Sequence, residues 1–156
     1  MTSVLTQHQS TERTVTNDLS FGLSNEDIMI NNLRLFFPNY TNITNTKEKY
    51  NNKYCLWDYE CDDGNRFELK SRRLISNAYS SALLSCHKAD NNCSKKQYFI
   101  FSYTDKVLYI EYDEMLFNTF DIKTFRDYRY GRNGKEERCF EIPISKMKEL
   151  NTKTIN

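Results

Sequence analysis

Between Trp57 and Lys70 apolar and charged side chains alternate with a period of two. On an extended chain Trp57, Tyr59, Phe67 and Leu69 fall on one face, able to pack on a core. Asp58, Glu60, Arg66, Glu68 and Lys70 fall on the other. Asp62, Asp63 and Gly64 interrupt the alternation with turn residues, and glycine can take the left-handed position of a three-residue hairpin loop. The pattern therefore predicts a hairpin in which Cys61 faces Asn65, Asp58 faces Glu68 and Leu56 faces Lys70. A loop one residue shorter or longer would send Asp58 and Glu68 to opposite faces.

The rest of the pattern arranges itself around that hairpin. Ser24 is a helix N-cap with Asp27 at the capping-box position, and the helix runs to about Phe37, where Pro38 stops it. Its apolar stripe is Ile30, Leu33 and Phe37. Residues 39–53 are a polar connection with room for a short edge strand. Tyr79, Leu83 and Cys86 recur at helical spacing, with Ala78 and Ala82 small enough for close packing, and predict a helix from about Ser76 to His87. Gln97–Tyr103 is apolar on both faces, as a central, doubly covered strand is. Thr104 and Asp105 turn it into a partner over Lys106–Tyr112. Cys139–Ile144 reads as a last strand with Pro143 near its end, and Ser145 caps a short helix through Leu150. The expectation is α/β: a single domain over 21–152, with a central mixed β-sheet flanked by helices. Residues 1–20 lack any period and predict a disordered polar tail, and 153–156 a frayed end.

Composition narrows this picture. At 156 residues the chain suits one domain with one core. The net charge of +1 provides no global basic field, so any nucleic-acid site must be a local patch. No apolar run reaches membrane-spanning length and no signal-peptide core is present, so an intracellular protein without a membrane partner is expected. Five cysteines, an odd number, then predict free thiols. Cys86, His87 and Cys93 match no zinc spacing.

Two carboxylates side by side on an exposed face repel each other unless a cation lies between them. Mg²⁺ suits carboxylate oxygen and water, and a neighbouring lysine can orient water or stabilise charge on a phosphate. The same residues also read as a solvated face with ion pairs from Glu60 to Arg66 and from Glu68 to Lys70. An acidic-x-Lys triplet alone says little, since Asp121-Ile122-Lys123 is another. The strand alternation, the turn and Asp58 ten residues upstream distinguish Glu68-Leu69-Lys70.

Asp58 followed across a hairpin by Glu68-Leu69-Lys70 resembles the signature of the PD-(D/E)XK nuclease superfamily, the restriction-endonuclease-like fold. Asn77-Ala78-Tyr79-Ser80-Ser81-Ala82-Leu83-Leu84 ending near Lys88, Tyr98–Asp105 and Leu108–Tyr112 are also similar to segments of small phage and large-DNA-virus members. Trp57 stands where the name-giving proline would be. The resemblance implies a Mg²⁺- or Mn²⁺-dependent nuclease acting on nucleic acid, with DNA the expected substrate and a homodimer one possible assembly. It implies that Asp58, Glu68 and the Leu69 backbone carbonyl hold the metal and that Lys70 orients or activates water. Glu26 is the first-helix acid that such enzymes often add to the shell; it equally complements the helix dipole. Tyr79 and Lys88 become substrate-side candidates, against plain readings as a core tyrosine and a helix-end charge.

Residues 114–138 combine aromatic and basic side chains: Phe117, Phe120, Lys123 and Phe125, then Arg126, Arg129, Arg132, Lys135 and Arg138, with Tyr128 and Tyr130 among them. Basic groups contact phosphates and aromatics stack on bases. With Gly131 and Gly134 the segment reads as a mobile, DNA-gripping tip, or as a solvated hairpin neutralised by Asp127, Glu136 and Glu137. Arg72 and Arg73 join the candidate nucleic-acid-binding set. Two other functions remain open: a catalytically silent binding or assembly module of the same fold, and a structural or host-interaction protein.

Overall fold

The computed structural model describes residues 28–150. The expected tail, the helix cap at Ser24 and Asp27, Glu26 and the C-terminal end lie outside them. Helix α1 covers 28–36 of the described residues and ends ahead of Pro38, whose ring cannot continue a helix. β1 is Thr44–Asn45 and α2 is Thr46–Lys49, one turn capped by the Asn45 side chain on the Lys47 and Glu48 amides. β2 is Tyr59–Glu60, β3 Arg66–Ser71, β4 Ser81–Ser85, β5 Gln97–Ser102 and β6 Val107–Glu111. Then follow α3 Glu114–Phe117, β7 Asp121–Asp127, β8 Lys135–Pro143 and β9 Lys148–Glu149.

Six strands form a mixed sheet in the order β1-β2-β3-β5-β6-β9, with β3 and β5 parallel and the other pairs antiparallel. Three more form an antiparallel sheet in the order β4-β8-β7. The class is α/β with a mixed sheet, as expected, but its layers differ. One face of the large sheet carries Tyr59, Phe67, Leu69, Tyr98 and Ile100 and packs on Met29 and Leu33 of α1. The other face carries Phe99, Phe101 and Ile110 and packs on Ala82, Leu84 and Ile142 of the small sheet, with Phe117 and Phe120 between. A second sheet thus occupies the layer where a helix was expected.

The predicted hairpin register is present. Tyr59 pairs with Phe67 and Glu60 with Arg66, and the Cys61 amide donates to Asn65 O across the loop. Extending that register by one pair sets Asp58 against Glu68. Gly64 takes the left-handed conformation at φ +82° that the loop requires. Trp57 departs from its expected face. It lies ahead of β2, so strand alternation does not bind it, and it stacks on Phe99 on the side of the sheet that also carries Glu68.

Three other expectations are corrected. The helix over 76–87 is replaced by β4, followed by a 3₁₀ turn at Cys86–Lys88. Ala82 and Leu84 are buried with a period of two, and flanking serines compete for backbone groups and disfavour a helix. The C-terminal helix is a 3₁₀ turn at Ile144–Lys146 and then β9, drawn to the edge of β6 by Leu150, whose amide donates to Val107 O. Over 114–138 the chain forms α3 and then a hairpin of β7 and β8, the hairpin alternative given above, and the expected set of base-stacking aromatics is reduced. Phe117 and Phe120 are core residues there, out of reach of any base.

Candidate metal and nucleic-acid site

The hairpin face that carries Asp58 and Glu68 is covered, not solvated: Asp58 is 8% exposed and Glu68 4%. β3 is an interior strand and the layer beyond it is closed by Trp57 and the small sheet, so both carboxylates sit at the margin of a core. Asp58 Oδ2 accepts from the Leu69 amide at 2.7 Å, and its Oδ1 lies 3.4 Å from Lys47 Nζ. The Leu69 side chain points to the α1 layer, while its peptide lies against the Asp58 carboxylate.

Glu68 has two unlike oxygens. Oε1 lies 3.2 Å from Lys70 Nζ and 3.0 Å from Lys88 Nζ. Oε2 is buried and has no hydrogen-bond partner. A buried carboxylate oxygen without a donor is costly, and the chemistry that relieves it is a cation or a proton. Burial pushes the Glu68 carboxyl above the ordinary carboxylate range; the Asp58 charge adds to the rise, and the two lysines oppose it.

Lys88 reaches this point from the 3₁₀ turn after β4, not from a helix end. Its ammonium also donates to Leu56 O at 2.9 Å, tying the small sheet to the chain that leads into the hairpin. Sequence reasoning missed Lys47. It comes from α2, set in place because Thr46 opposes Asp58: the Thr46 amide donates to Asp58 O at 2.9 Å, and the Thr46 hydroxyl bonds Trp57 O. The legible signal was Asn45 with Glu48 three residues later, a helix-start pattern inside the polar connection. Glu60 pairs with Lys49 at 2.8 Å, not with Arg66, whose guanidinium lies 5.5 Å from the centre of the Trp57 ring.

The donor set is hard: two adjacent carboxylates, one oxygen of which is orphaned. It fits a small divalent cation that keeps part of its water, as Mg²⁺ and Mn²⁺ do. Among the described residues no group of three or more His, Cys, Asp or Glu converges, so backbone oxygen, water or Glu26 would have to complete the shell.

A cleft of ≈780 Å³ is lined by Lys70 and Lys88, the two lysines on Glu68, though not by Asp58 or Glu68 themselves. It is bounded by Lys70, Arg72 and Lys88 on one side and by Arg126, Arg129 and Arg132 on the other. Five of the six candidate nucleic-acid-binding residues thus share one cleft with Lys70. The exception, Arg73, is exposed and does not line it. The arginines on the hairpin side are held in place. Arg129 donates to both oxygens of the buried Asp127, at 2.9 and 2.7 Å, and Arg132 Nε lies 3.5 Å from the same carboxylate. Arg129 holds the Asp127 carboxyl down at about 2. Arg126 donates to Gly134 O at 3.3 Å. Gly134 has φ +75°, and a Cβ there would stand 2.7 Å from the Tyr128 ring. The tip is a folded turn in which Asp127 pairs with Arg129 and Arg132. No protein-family model matches the chain, and no curated protein matches it in sequence.

Proposed function

We propose that this protein is a metal-dependent nuclease of the restriction-endonuclease-like type, hydrolysing phosphodiester bonds of nucleic acid, with DNA the first choice of substrate. The observation that carries the reading is the buried Asp58–Glu68 pair with its orphaned oxygen, joined through Lys70 and Lys88 to a cleft whose lining holds six lysines and arginines beside Asp127 and Glu137. Asp58, Glu68 and the Leu69 carbonyl would hold Mg²⁺ or Mn²⁺. When bound, such an ion lowers the pKa of coordinated water and neutralises charge building on the phosphate. Lys70, beside Glu68, orients the attacking water and stabilises the phosphate oxygens. Lys88 stands on the other side of the same carboxylate oxygen and holds the scissile phosphate in place. Arg72, Arg126, Arg129 and Arg132 bind flanking phosphates and fix the strand relative to the carboxylates.

A second reading is favoured by one feature. Lys47, Lys70 and Lys88 already neutralise both carboxylates, as suits a binding module of the same fold that does no chemistry. Metal-dependent cleavage of labelled linear duplex, single strand, flap and four-way junction separates the two. Cleavage that disappears in chelator and in Lys70→Ala supports the nuclease. Retained cleavage in both Glu68→Ala and Lys70→Ala would sink the site assignment. Salt-sensitive binding without cleavage selects the binding module.

A further inference from the structure

A second cavity, of ≈320 Å³, lies next to the cationic cleft and shares Arg72 and Leu83 with it. Its character is different. Leu74, Ile75 and Tyr79 form one wall, Tyr103 and Ala82 line it further, and Lys123 and Glu141 offer a donor and an acceptor from the small sheet. Tyr79 is 69% exposed, and Leu74 and Ile75 are exposed as well. These side chains are not carried on a slack loop. The Ser76 amide and hydroxyl both donate to the Asp105 carboxylate, at 2.8 and 2.7 Å, and the Thr104 amide donates to Leu74 O at 3.0 Å. The backbone at Leu74 and Ser76 is therefore anchored, and the side chains of Leu74, Ile75 and Tyr79 stand exposed beside it.

Arg72 stands at the junction. Its backbone extends the pairing of β3 with β5, so its origin is rigid. Among the described residues its guanidinium forms no ion pair, only a 3.4 Å hydrogen bond to the Ser71 carbonyl. A partly buried guanidinium without an ion-pair partner lies between a cleft in which six cationic side chains outnumber Asp127 and Glu137 and an aromatic pocket, and a phosphate of a bound strand would satisfy it. Ligand pockets run from roughly 300 to 1,000 Å³, so this one is at the small end, suited to a single flat group.

We propose that this pocket receives one unpaired nucleobase of the strand whose phosphates occupy the cleft, stacked on Tyr79 with Arg72 on its phosphate; the inference rests on the nucleic-acid reading of the cleft. A base inside a continuous duplex cannot reach it, so the substrate class is single-stranded nucleic acid or a duplex with an extrahelical nucleotide.

The test is binding of labelled single strands to the full chain in Ca²⁺, comparing a base-bearing strand with an abasic strand of equal length. The base-bearing strand is expected to bind on the order of tenfold tighter, the effect of one base–aromatic stack. Tyr79→Ala should abolish that preference while leaving affinity for the abasic strand unchanged, and Tyr79→Phe should retain it. A 2-aminopurine in the strand should be quenched by the wild type and not by Tyr79→Ala. Equal, salt-sensitive affinity for both strands would overturn the pocket and leave the cleft reading standing. A base preference unaffected by Tyr79→Ala would also overturn it. No binding of either strand would overturn the pocket, and no binding of linear duplex in the same assay would overturn the cleft reading with it.

Discussion

At Glu68 a single side chain combines burial, an acidic neighbour and two lysines on one oxygen only. Its carboxyl holds its proton above the ordinary range, so ionising it in the folded protein costs more than in the unfolded chain. Its contribution to stability is present in full below the unfolded pKa and is lost as pH rises through the folded one. On the proposed function a divalent cation would compete with that proton for Glu68. Metal affinity is therefore expected to rise with pH across the Glu68 titration, with proton release on binding, which calorimetry in buffers of different ionisation enthalpy detects. Glu68→Gln should lose metal binding and at least about a hundredfold in cleavage, yet remain folded by circular dichroism. Gly134 is a second residue-scale case. Gly134→Ala combines φ +75° with a Cβ 2.7 Å from Tyr128, and a destabilisation of about 1–3 kcal/mol is expected in urea melts.

Elements differ in how far the sequence revealed them. The Asp58–Glu68 hairpin was legible because its register follows from a local turn and the alternation on either side of it, which failed only at Trp57, ahead of β2. The strands β5 and β6 were legible because their apolar runs are long and broken by an obvious turn. β4 was not. Its partner β8 begins fifty residues later in the chain, with Ser85 opposite Cys139 and Ala82 opposite Ile142, and nothing local reports that pairing. Tyr79, Leu83 and Cys86 mimic a helix by spacing alone. The burial contrast gives a direct check. Leu84→Ala, at a fully buried position, should cost about 2–5 kcal/mol, and Leu83→Ala, on the opposite face, well under that, by urea denaturation. The β7–β8 hairpin has its own electrostatic anchor in Asp127. The folded carboxyl titrates at about 2, below its unfolded value, so its support for the hairpin is present above about pH 4 and lost as pH falls towards 2. Asp127→Asn should remove that acid transition from tryptophan and tyrosine fluorescence.

The whole molecule is nearly neutral, with a net charge of +1, yet the fold gathers Lys70, Arg72, Lys88, Arg126, Arg129 and Arg132 around one cleft. Composition excluded a global field; only the layering of two sheets brings these six together from three distant parts of the chain. Nucleic-acid affinity is expected to fall linearly with log salt, and Arg126→Ala to reduce that slope by about one, measured by anisotropy titrations.

The crossover from β3 to β5 contains β4, which cannot be paired until β8 has been made. During synthesis this imposes an order. Once residues up to Glu111 have emerged, the hairpin and the parallel pair beside it can close, and the carboxylates can meet. The strand that covers Phe99 and Phe101, and the arginines opposite Lys70, belong to the last third of the chain. A nascent chain can thus hold the Asp58–Glu68 pair before it has the wall that would grip a phosphate backbone. If the proposed function holds, capacity for chemistry would precede capacity for capture, and an incomplete chain would meet nucleic acid without holding it.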